Sequence, residues 1–577
     1  MTLKKLTLPE LLKNSCSKFS KNLSLNFVAS GKKTYQDLYN EVVSIANHLL
    51  HLGVKKGDKV AILSANMPNW GITQFAIANI GAIAVPVLPG FCSTELQNIL
   101  EHAEVKVIFV SRLLAKCLEG VKTPFLKHKI LINNFSTIPE GCYQPEELDK
   151  LVPDISLNNT TPLPEVSIEE EDIASIIYTS GTTGFSKGVV LTHKNLVWDA
   201  RQCHTIQPVD ETYRFLSILP MAHTYENTLG LLLPLMYGAQ VYYLDRVPTP
   251  KLLVPAMQKI RPTVVLSVPL IIEKIYKSQV LPKFTGSKWM SKLYQFAPAR
   301  KLFNRLAGKK LMETFGGELK FFGIGGSKLD GTVEQFLREA KFPYAIGYGL
   351  TETAPMAAGS NPSQTFLQGV GPVMEGVQIK INDPDNSGQG EIWIKGPNVM
   401  KGYYKRPELT AETFTEDGWF KTGDLGSFDK KNRLAIRGRI KTMILGASGE
   451  NIYPEEIESI INNFRFVNES LVVENSGKLV AMVHFNMEEL GKQYAMEEVV
   501  NSLWSHLGFV LQWAKYGLNA ESKKDKYPSH VQRMIDEYKE LDDRINKLAS
   551  FINTNSIFET LQDEEREDMK AQLIWMH

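Results

Sequence analysis

The sequence predicts an α/β protein with a large N-terminal domain of layered α/β subdomains plus a β-barrel-like subdomain. A small, truncated α+β domain and a helical tail are expected to follow. Three observations lead there. Apolar strand-like runs alternate with 3.6-residue periodicity through the first half, the texture turns to hairpins from about residue 370, and it becomes helical past about 490. The expected domains are residues 1–440, 441–490 and 491–577.

The alternation starts with YQDLYNEVVSIANHLLHL (35–52), whose apolar residues recur at helical spacing. Gly53 and Gly57 end it, and KVAILSAN reads as a buried strand. WGITQFAIANIGA predicts a helix before the strand AVPVL, and ELQNILEHA a helix before KVIFV. The same rhythm returns at RFLSILP, QVYYL, TVVLSV and LKFFGIG. Two related subdomains are therefore expected, each built on a parallel sheet covered on both faces. TLGLLLPLMYGAQVYYL (228–244) is the most apolar long stretch. Gly, Pro and Gln interrupt it, and it is short for a membrane span, so it reads as a buried helix followed by a strand. GVQIKI, DPDNSGQG and EIWIKG give strand, turn cluster and strand, and Pro454 marks a later helix start.

Composition narrows the class. An apolar share of 43% and a charged share of 22% are those of a globular soluble chain, and a net charge of +1 gives no global field toward nucleic acid or an anionic membrane. The five cysteines (Cys16, Cys92, Cys117, Cys142, Cys203) are scattered without a C-x-x-C. A disulfide framework or zinc site is not expected, and a reducing cytoplasm is the natural setting. MTLKKLTLPELLKNS lacks both a long apolar core and a cleavage site of small residues, so it is not read as a signal peptide.

The chemistry concentrates in YTSGTTGFSKG (178–188). Thr179, Ser180, Gly181, Thr182, Thr183 and Gly184 combine hydroxyls with backbone freedom, and Lys187 adds a positive charge. Successive N–H groups in such a loop can curl around an anion. A flexible linker would need neither the lysine nor the apolar runs IIY and VVLT on its two sides. The Walker A pattern G-x-x-x-x-G-K-[ST] is absent, as is a G-x-G-x-x-G after a strand. GYGLTET (347–353) sets the hydroxyl of Thr351 beside the carboxylate of Glu352, a pairing suited to a phosphate oxygen and a hard cation. GWFKTGDLG (418–426) places Asp424 in a glycine-flanked turn where it could accept ribose hydroxyls, and GRIK (438–441) supplies Arg439. FGIGGSKL (322–329) offers small residues where a flat base could approach the backbone. Singly, each also reads as a turn, a solvated acid or a surface cation.

In this order and spacing the motifs resemble those of the adenylate-forming superfamily of acyl-CoA synthetases, luciferases and peptide-synthetase adenylation domains, over roughly residues 5–490. AHTYEN and GASGENIYPEEIE resemble its long-chain fatty acid–CoA ligases, and Ser186 stands where the common loop has proline. The resemblance implies ATP, Mg2+ and coenzyme A, with a fatty acid as the acid substrate. The loop from Thr179 to Lys187 would hold the β- and γ-phosphates, Thr351 would contact phosphate, and Glu352 would bind magnesium. Gly325, Gly326 and Ser327 would border the adenine, with Tyr348 stacked on it. Asp424 would bond both ribose hydroxyls, with Arg439 beside it. His223, in LPMAHTYE, would lie near the acyl carboxylate, Lys441 would be the hinge between domains, and Gly449 would line the route of the thiol. The residues implied in catalysis are thus Lys187, His223, Thr351, Glu352 and Lys441. The implied reaction has two steps: a carboxylate attacks the α-phosphate of ATP to give acyl-adenylate and pyrophosphate, then a thiol attacks the acyl carbon. A cytoplasmic enzyme is expected, with peripheral contact at the inner membrane face left open. A related subgroup acylates carrier proteins, but usually with an insertion and another motif where LPMAHTYE stands, so coenzyme A is the favoured acceptor.

The resemblance runs through GKLVAMVHFNMEEL (477–490) and stops. The family's small domain ends in a motif such as T-x-x-G-K-I-x-R, whose lysine bonds the carboxylate and α-phosphate during adenylation. No such motif occurs here, and Lys523, Lys524, Lys526, Lys547 and Lys570 stand in other contexts. MEEVVNSLWSHLGFVLQWAKYGL (496–518) reads as helical instead. After Pro528, apolar residues at Val531, Met534, Tyr538, Leu541, Ile545, Leu548 and Ile552 suit a helical hairpin or short coiled coil. ETLQDEEREDMKAQLIWM predicts a last helix with acids at its start, where they complement the dipole. From about 529 the chain resembles small helical proteins encoded by phages of gut bacteria. A fusion or truncation inside the small domain, with impaired adenylation, is the expectation. A divergent small domain with a displaced lysine is one alternative, and a nucleotide- or acyl-binding protein without turnover, its tail recruiting a partner, is another.

Overall fold

A computed structural model describes residues 3–485 apart from 92, 156, 158–160, 180–185, 247, 286, 446–450, 463, 465, 466, 476 and 477. The helices expected beyond 490 lie outside the described residues, as do Ser180, Gly181, Thr182, Thr183, Gly184 and Gly449. The chain divides into two compact units, Met1–Arg437 and Gly438–His577.

The first unit contains two large sheets whose strands match the apolar runs of the sequence. One has eight strands in the order Gly402–Tyr403, Lys187–Thr192, Ile173–Thr179, Ile83–Val87, Lys59–Leu63, Val105–Val110, His128–Leu131, Ser136–Thr137. The other has seven, in the order Leu25–Phe27, Gln240–Tyr243, Arg214–Ser217, Val264–Ser267, Phe321–Ile324, Tyr344–Gly349, Met356–Gly359. Their centres are parallel, but the ends are not: Ile173–Thr179 pairs antiparallel with Lys187–Thr192, and Tyr344–Gly349 with Met356–Gly359. The expectation of wholly parallel sheets fails at these edges for a physical reason. Seven and six residues link these strands, too few for a crossover helix, so the chain must return antiparallel. The sheets also share the chain less tidily than two consecutive runs would, because Leu25–Phe27 joins the second sheet from before the first.

The helices form where the pattern places them. Tyr35–His51 begins at a capping box in which the Thr34 hydroxyl accepts from the Asp37 amide while the Asp37 carboxylate accepts from the Thr34 amide. It buries Leu38, Val42, Ile45 and Leu49. Pro68–Asn79 is buried on all sides and so lacks a polar stripe. The apolar stretch near 228–244 is a π-helical turn, Glu226–Leu232, then Leu233–Met236 and the strand Gln240–Tyr243, nearly all of it buried. No described helix is long and apolar enough to cross a membrane.

The expected barrel-like part is a four-stranded antiparallel sheet, Gln378–Asn382, Gly390–Lys395, Phe420–Phe428, Leu434–Arg439. It is open, with no closed barrel among the described residues: its first and last strands sit at opposite ends of the order and do not pair. In the second unit, helix Pro454–Ile461 starts at the predicted proline and packs Ile461 with Val467 and Val472 of the hairpin Val467–Asn475/Lys478–Phe485.

Candidate functional site

The hydroxyl- and glycine-rich loop joins two antiparallel strands whose last paired residues are Thr179 and Lys187. The short strand Gly402–Tyr403 runs antiparallel along the outer side of Lys187–Thr192, with Tyr403 opposite Val189. That register brings Lys187 over the Tyr403 ring, its Nζ 5.3 Å from the centroid. The Tyr403 hydroxyl donates to Glu352 Oε1 at 2.8 Å. Burial first, and then the Glu352 charge, push the Tyr403 pKa up, so the phenol stays a donor. The Met400 amide donates to the Glu352 carbonyl at 2.8 Å, tying the same two segments through the backbone.

Glu352 sits in a tight turn, Thr351–Thr353, after the strand Tyr344–Gly349. The turn is held by the Leu350 amide, which donates to Thr353 Oγ1 at 2.9 Å. Gly349 is required here, because a Cβ would overlap the Pro355 carbonyl that the Leu350 amide also meets. One residue earlier, the Tyr348 hydroxyl donates to Asp424 Oδ2 at 2.7 Å. Both residues are buried. Asp424 follows Gly423, whose φ of +71° turns the strand, and its amide donates to Thr422 Oγ1 at 3.0 Å.

The adjacent strand Phe321–Ile324 leads into Gly325, Gly326 and Ser327, the last two exposed. Gly326 has φ of +90°, which a side chain resists. Tyr225 backs this segment: its ring would lie 3.4 Å from a Cβ at Gly325, and its hydroxyl 2.9 Å from one at Gly323. The Tyr225 amide donates to His223 Nδ1 at 3.2 Å, which leaves the hydrogen of the neutral imidazole on Nε2. Solvent reaches the His223 ring, yet the surrounding protein desolvates its charged form and lowers its pKa.

Behind Tyr225 lies a narrow apolar cavity of about 40 Å³, whose walls include Leu229, Leu266, Phe321, Gly323, Gly347 and Met356. It thus backs onto the strands that carry Gly325 and Tyr348. Two acids are buried nearby in the chain. Asp199 accepts the Met356 amide at 3.2 Å, and burial raises its pKa. Glu226 packs its carboxyl against Gly230, where a Cβ would come within 2.6 Å, and burial pushes its pKa up to about 8.

Among the described residues no three His, Cys, Asp or Glu side chains gather as a metal site. Mg2+, however, commonly takes one or two protein carboxylates and completes its shell with water and substrate phosphates. Glu352, which follows Thr351 in the same turn and is held through Oε1 by Tyr403, supplies one such carboxylate. Thr351, Glu352, Lys187, Tyr348 and Asp424 are thus linked through two tyrosines. Arg439 ends the strand Leu434–Arg439 and Lys441 lies exposed in the following turn, both in the second unit. Three residues of the site were not singled out from sequence. Tyr403 follows only from strand pairing, Tyr225 was read with its apolar surroundings, and the tight spot in FGIGG is Gly323.

A family model described as AMP-binding enzyme matches residues 12–404, and a second, described as Sequestin, matches residues 528–577. The chain is 30% identical over 496 residues to the long-chain-fatty-acid–CoA ligase heimdall of Drosophila melanogaster, covering 79% of this chain and 72% of that one. It is 28% identical over 539 residues to the chloroplastic long-chain-fatty-acid–[acyl-carrier-protein] ligase AEE15 of Arabidopsis thaliana, covering 79% and 73%. The fold is similar to that of ATP-bound MatB from Rhodopseudomonas palustris, with a TM-score of 0.68 at 23% identity over 91% of this chain and 94% of that one. The Sequestin match covers the stretch where the helical pattern departs from the rest of the chain.

Proposed function

The chain belongs to the AMP-binding enzyme family of ATP-dependent, AMP-forming ligases, and on that premise we propose that it joins a long-chain fatty acid to coenzyme A. The carrying observation is the set of contacts Lys187–Tyr403–Glu352 and Tyr348–Asp424, which ties together the cation and the two carboxylates of the separate motifs. The apolar cavity behind Tyr225, about 40 Å³, borders the strands of Gly325 and Tyr348 and has room for only a few carbons of the acid, so a long tail enters only as its walls move apart. The named relatives support the chain-length class, with both coenzyme A and carrier protein among their acceptors.

In this reading the first step joins two anions, so the site must hold charge and geometry together. Lys187, with the loop from Thr179 to Gly184, holds the β- and γ-phosphates, and Thr351 donates to phosphate. Glu352 would hold Mg2+, which supplies charge neutralisation on the phosphates. Tyr403 fixes Glu352 through Oε1. Tyr348 stacks on adenine and orients Asp424 toward the ribose, with Gly325, Gly326 and Ser327 bordering the base. His223, neutral at pH 7, offers Nε2–H to the acyl carboxylate. A carboxylate oxygen then bonds the α-phosphorus as pyrophosphate leaves. In the second step a thiol sulfur bonds the acyl carbon as AMP leaves. Lys441, Arg439 and Gly449 are assigned to the hinge, the ribose and the thiol route. Residues 486–577 contain no T-x-x-G-K-I-x-R, and losing one such charge-stabilising group costs about 10²–10³ in rate. Adenylation by this chain is therefore slow, while ATP binding persists.

A panel of acids with ATP, and coenzyme A or a phosphopantetheinyl carrier as acceptor, tests this. It is run on this chain, on Lys187→Ala, and on a chain with a family C-terminus grafted after residue 490. Mass spectrometry should show long-chain acyl-CoA above the Lys187→Ala level, strongly enhanced by the graft. Palmitate-dependent pyrophosphate exchange at the same rate in grafted and ungrafted chains would refute the slow-adenylation reading. No acyl product from either would refute the ligase reading.

A further inference from the structure

Between Glu273 and Glu313 the chain carries eight lysines, two arginines and no acid, although its overall net charge is only +1. Three successive helices span most of this stretch: Leu281–Thr285, Lys288–Gln295 and Ala297–Thr314. Their inner face is fixed. Arg300 pairs with Glu339 at 2.8 Å, Asn304 donates to Glu339 Oε2 at 2.8 Å, and Gly308 passes so close to Ala340 that a Cβ would lie 2.5 Å from its carbonyl oxygen. Phe284 stacks with Tyr294 and Phe303, joining the three helices.

That packing leaves a different face outside. Trp289 is 69% exposed, Phe296 63%, Leu302 58% and Leu306 61%. Lys292, Lys301, Arg305 and Lys309 are exposed on the same two helices, and no ion pair engages them among the described residues. Leu302 and Leu306 stand one helical turn apart, each preceded by a cation, Lys301 and Arg305. Large apolar side chains held in water beside unpaired cations mark an interaction surface.

We propose that this face docks on an anionic lipid bilayer. Phosphates of a nucleic acid would satisfy the cations but leave Trp289, Leu302 and Leu306 in water. A bilayer satisfies both sets: leucine and tryptophan enter the headgroup–acyl boundary while lysine and arginine stems reach back to the headgroups. A further exposed leucine belongs to an element next to the cavity in the chain. Exposed Leu270 lies on the helix Pro269–Ile275, which directly follows the strand whose Val264 and Leu266 line it. Docking stands on the surface alone; that the bilayer delivers the acid rests on the proposed function.

Flotation of the full chain with phosphatidylcholine vesicles, with or without a quarter of phosphatidylglycerol, tests this. The chain should float with anionic vesicles, not with neutral ones, and release as sodium chloride rises from 0.05 to 0.5 M, concentrations set at roughly the range where surface charge becomes screened. Lys301→Gln with Arg305→Gln should weaken partition about 25-fold, about fivefold per cation. Leu302→Gln with Leu306→Gln should weaken it at low salt as well. All four side chains are exposed, so thermal unfolding and ATP binding should be unchanged. Equal retention on neutral vesicles, or parental partition by both variants, would overturn the proposal. So would tight binding to a DNA duplex or polyglutamate that the leucine variant leaves intact, without vesicle retention.

Discussion

Replacing Tyr348 with phenylalanine removes one oxygen and keeps the ring proposed to stack on adenine. The lost bond is a 2.7 Å donation to Asp424 Oδ2 between two buried residues, so water cannot readily take the place of the donor. A hydrogen bond to a charged group is worth about 1.5–3 kcal/mol, equivalent to about 10- to 150-fold in an equilibrium. Part of that loss falls on the free protein, where the bond already exists, so ATP affinity should drop toward the low end, about tenfold. Titration calorimetry of ATP into the full chain, Tyr348→Phe, Asp424→Asn and the double variant reads the coupling directly. If the hydroxyl acts by holding Asp424 toward the ribose, adding Tyr348→Phe to Asp424→Asn costs less than about twofold further. Additive losses, or parental affinity in Tyr348→Phe, would refute this account of the pair.

Tyr403→Phe removes the donor to Glu352 and keeps the ring under Lys187; the Mg2+ concentration for half-maximal activity should rise several-fold while ATP affinity holds, and an unchanged magnesium titration would refute the role given to Tyr403. Leu229→Phe fills the cavity at a stability cost of about 1–3 kcal/mol. It should shift the kcat/KM ratio toward shorter acids by about tenfold, read from a palmitate-to-octanoate comparison. Burial raises Glu226 to about 8 from an ordinary 4.5, so the folded protein keeps a proton that the unfolded chain releases. The associated stability is full below the unfolded pKa and is lost as pH rises through the folded one. Glu226→Gln should remove that slope, on the order of 3 kcal/mol between about pH 5 and 7.5, and urea midpoints that fall in parallel for both proteins would refute it.

What could be read from the sequence was local. Thr179 and Lys187 stand out because hydroxyls, glycines and a lysine between two apolar runs suit an anion, and the structure sets the two opposite each other at the end of an antiparallel pair. Gly349 and Gly326 belong to quoted motifs, and the structure gives each a backbone reason. Pairing was less legible. Tyr348 and Asp424 were both named, yet 76 residues separate them and nothing in either motif signals their bond. Tyr403 carries no pattern at all; it reaches Glu352 because an edge strand adds to Lys187–Thr192. Leu229 and Tyr225 line a cavity, but an apolar stretch looks the same whether it fills a core or borders a void. The antiparallel edges were missed because strand periodicity does not encode direction; only the length of the connecting loop does.

Binding and turnover draw on different parts of this chain. Lys187, Tyr348, Glu352 and Asp424 all lie within Met1–Arg437 and are held by contacts inside that unit. An interaction made equally with ATP and with the transition state sets affinity, whereas a lysine that meets charge developing at the α-phosphate sets kcat. A chain whose 12–404 matches one family and whose 528–577 matches another can therefore keep the first property while losing most of the second. The thiol step asks less of the missing group, since the bond between carboxylate and α-phosphorus, whose formation that lysine assists, has by then been made. Slow adenylation with near-normal ATP affinity is the outcome that the proposed function predicts for such a chain. Weak ATP binding would instead place the fault within the first unit, among the tyrosine-held carboxylates.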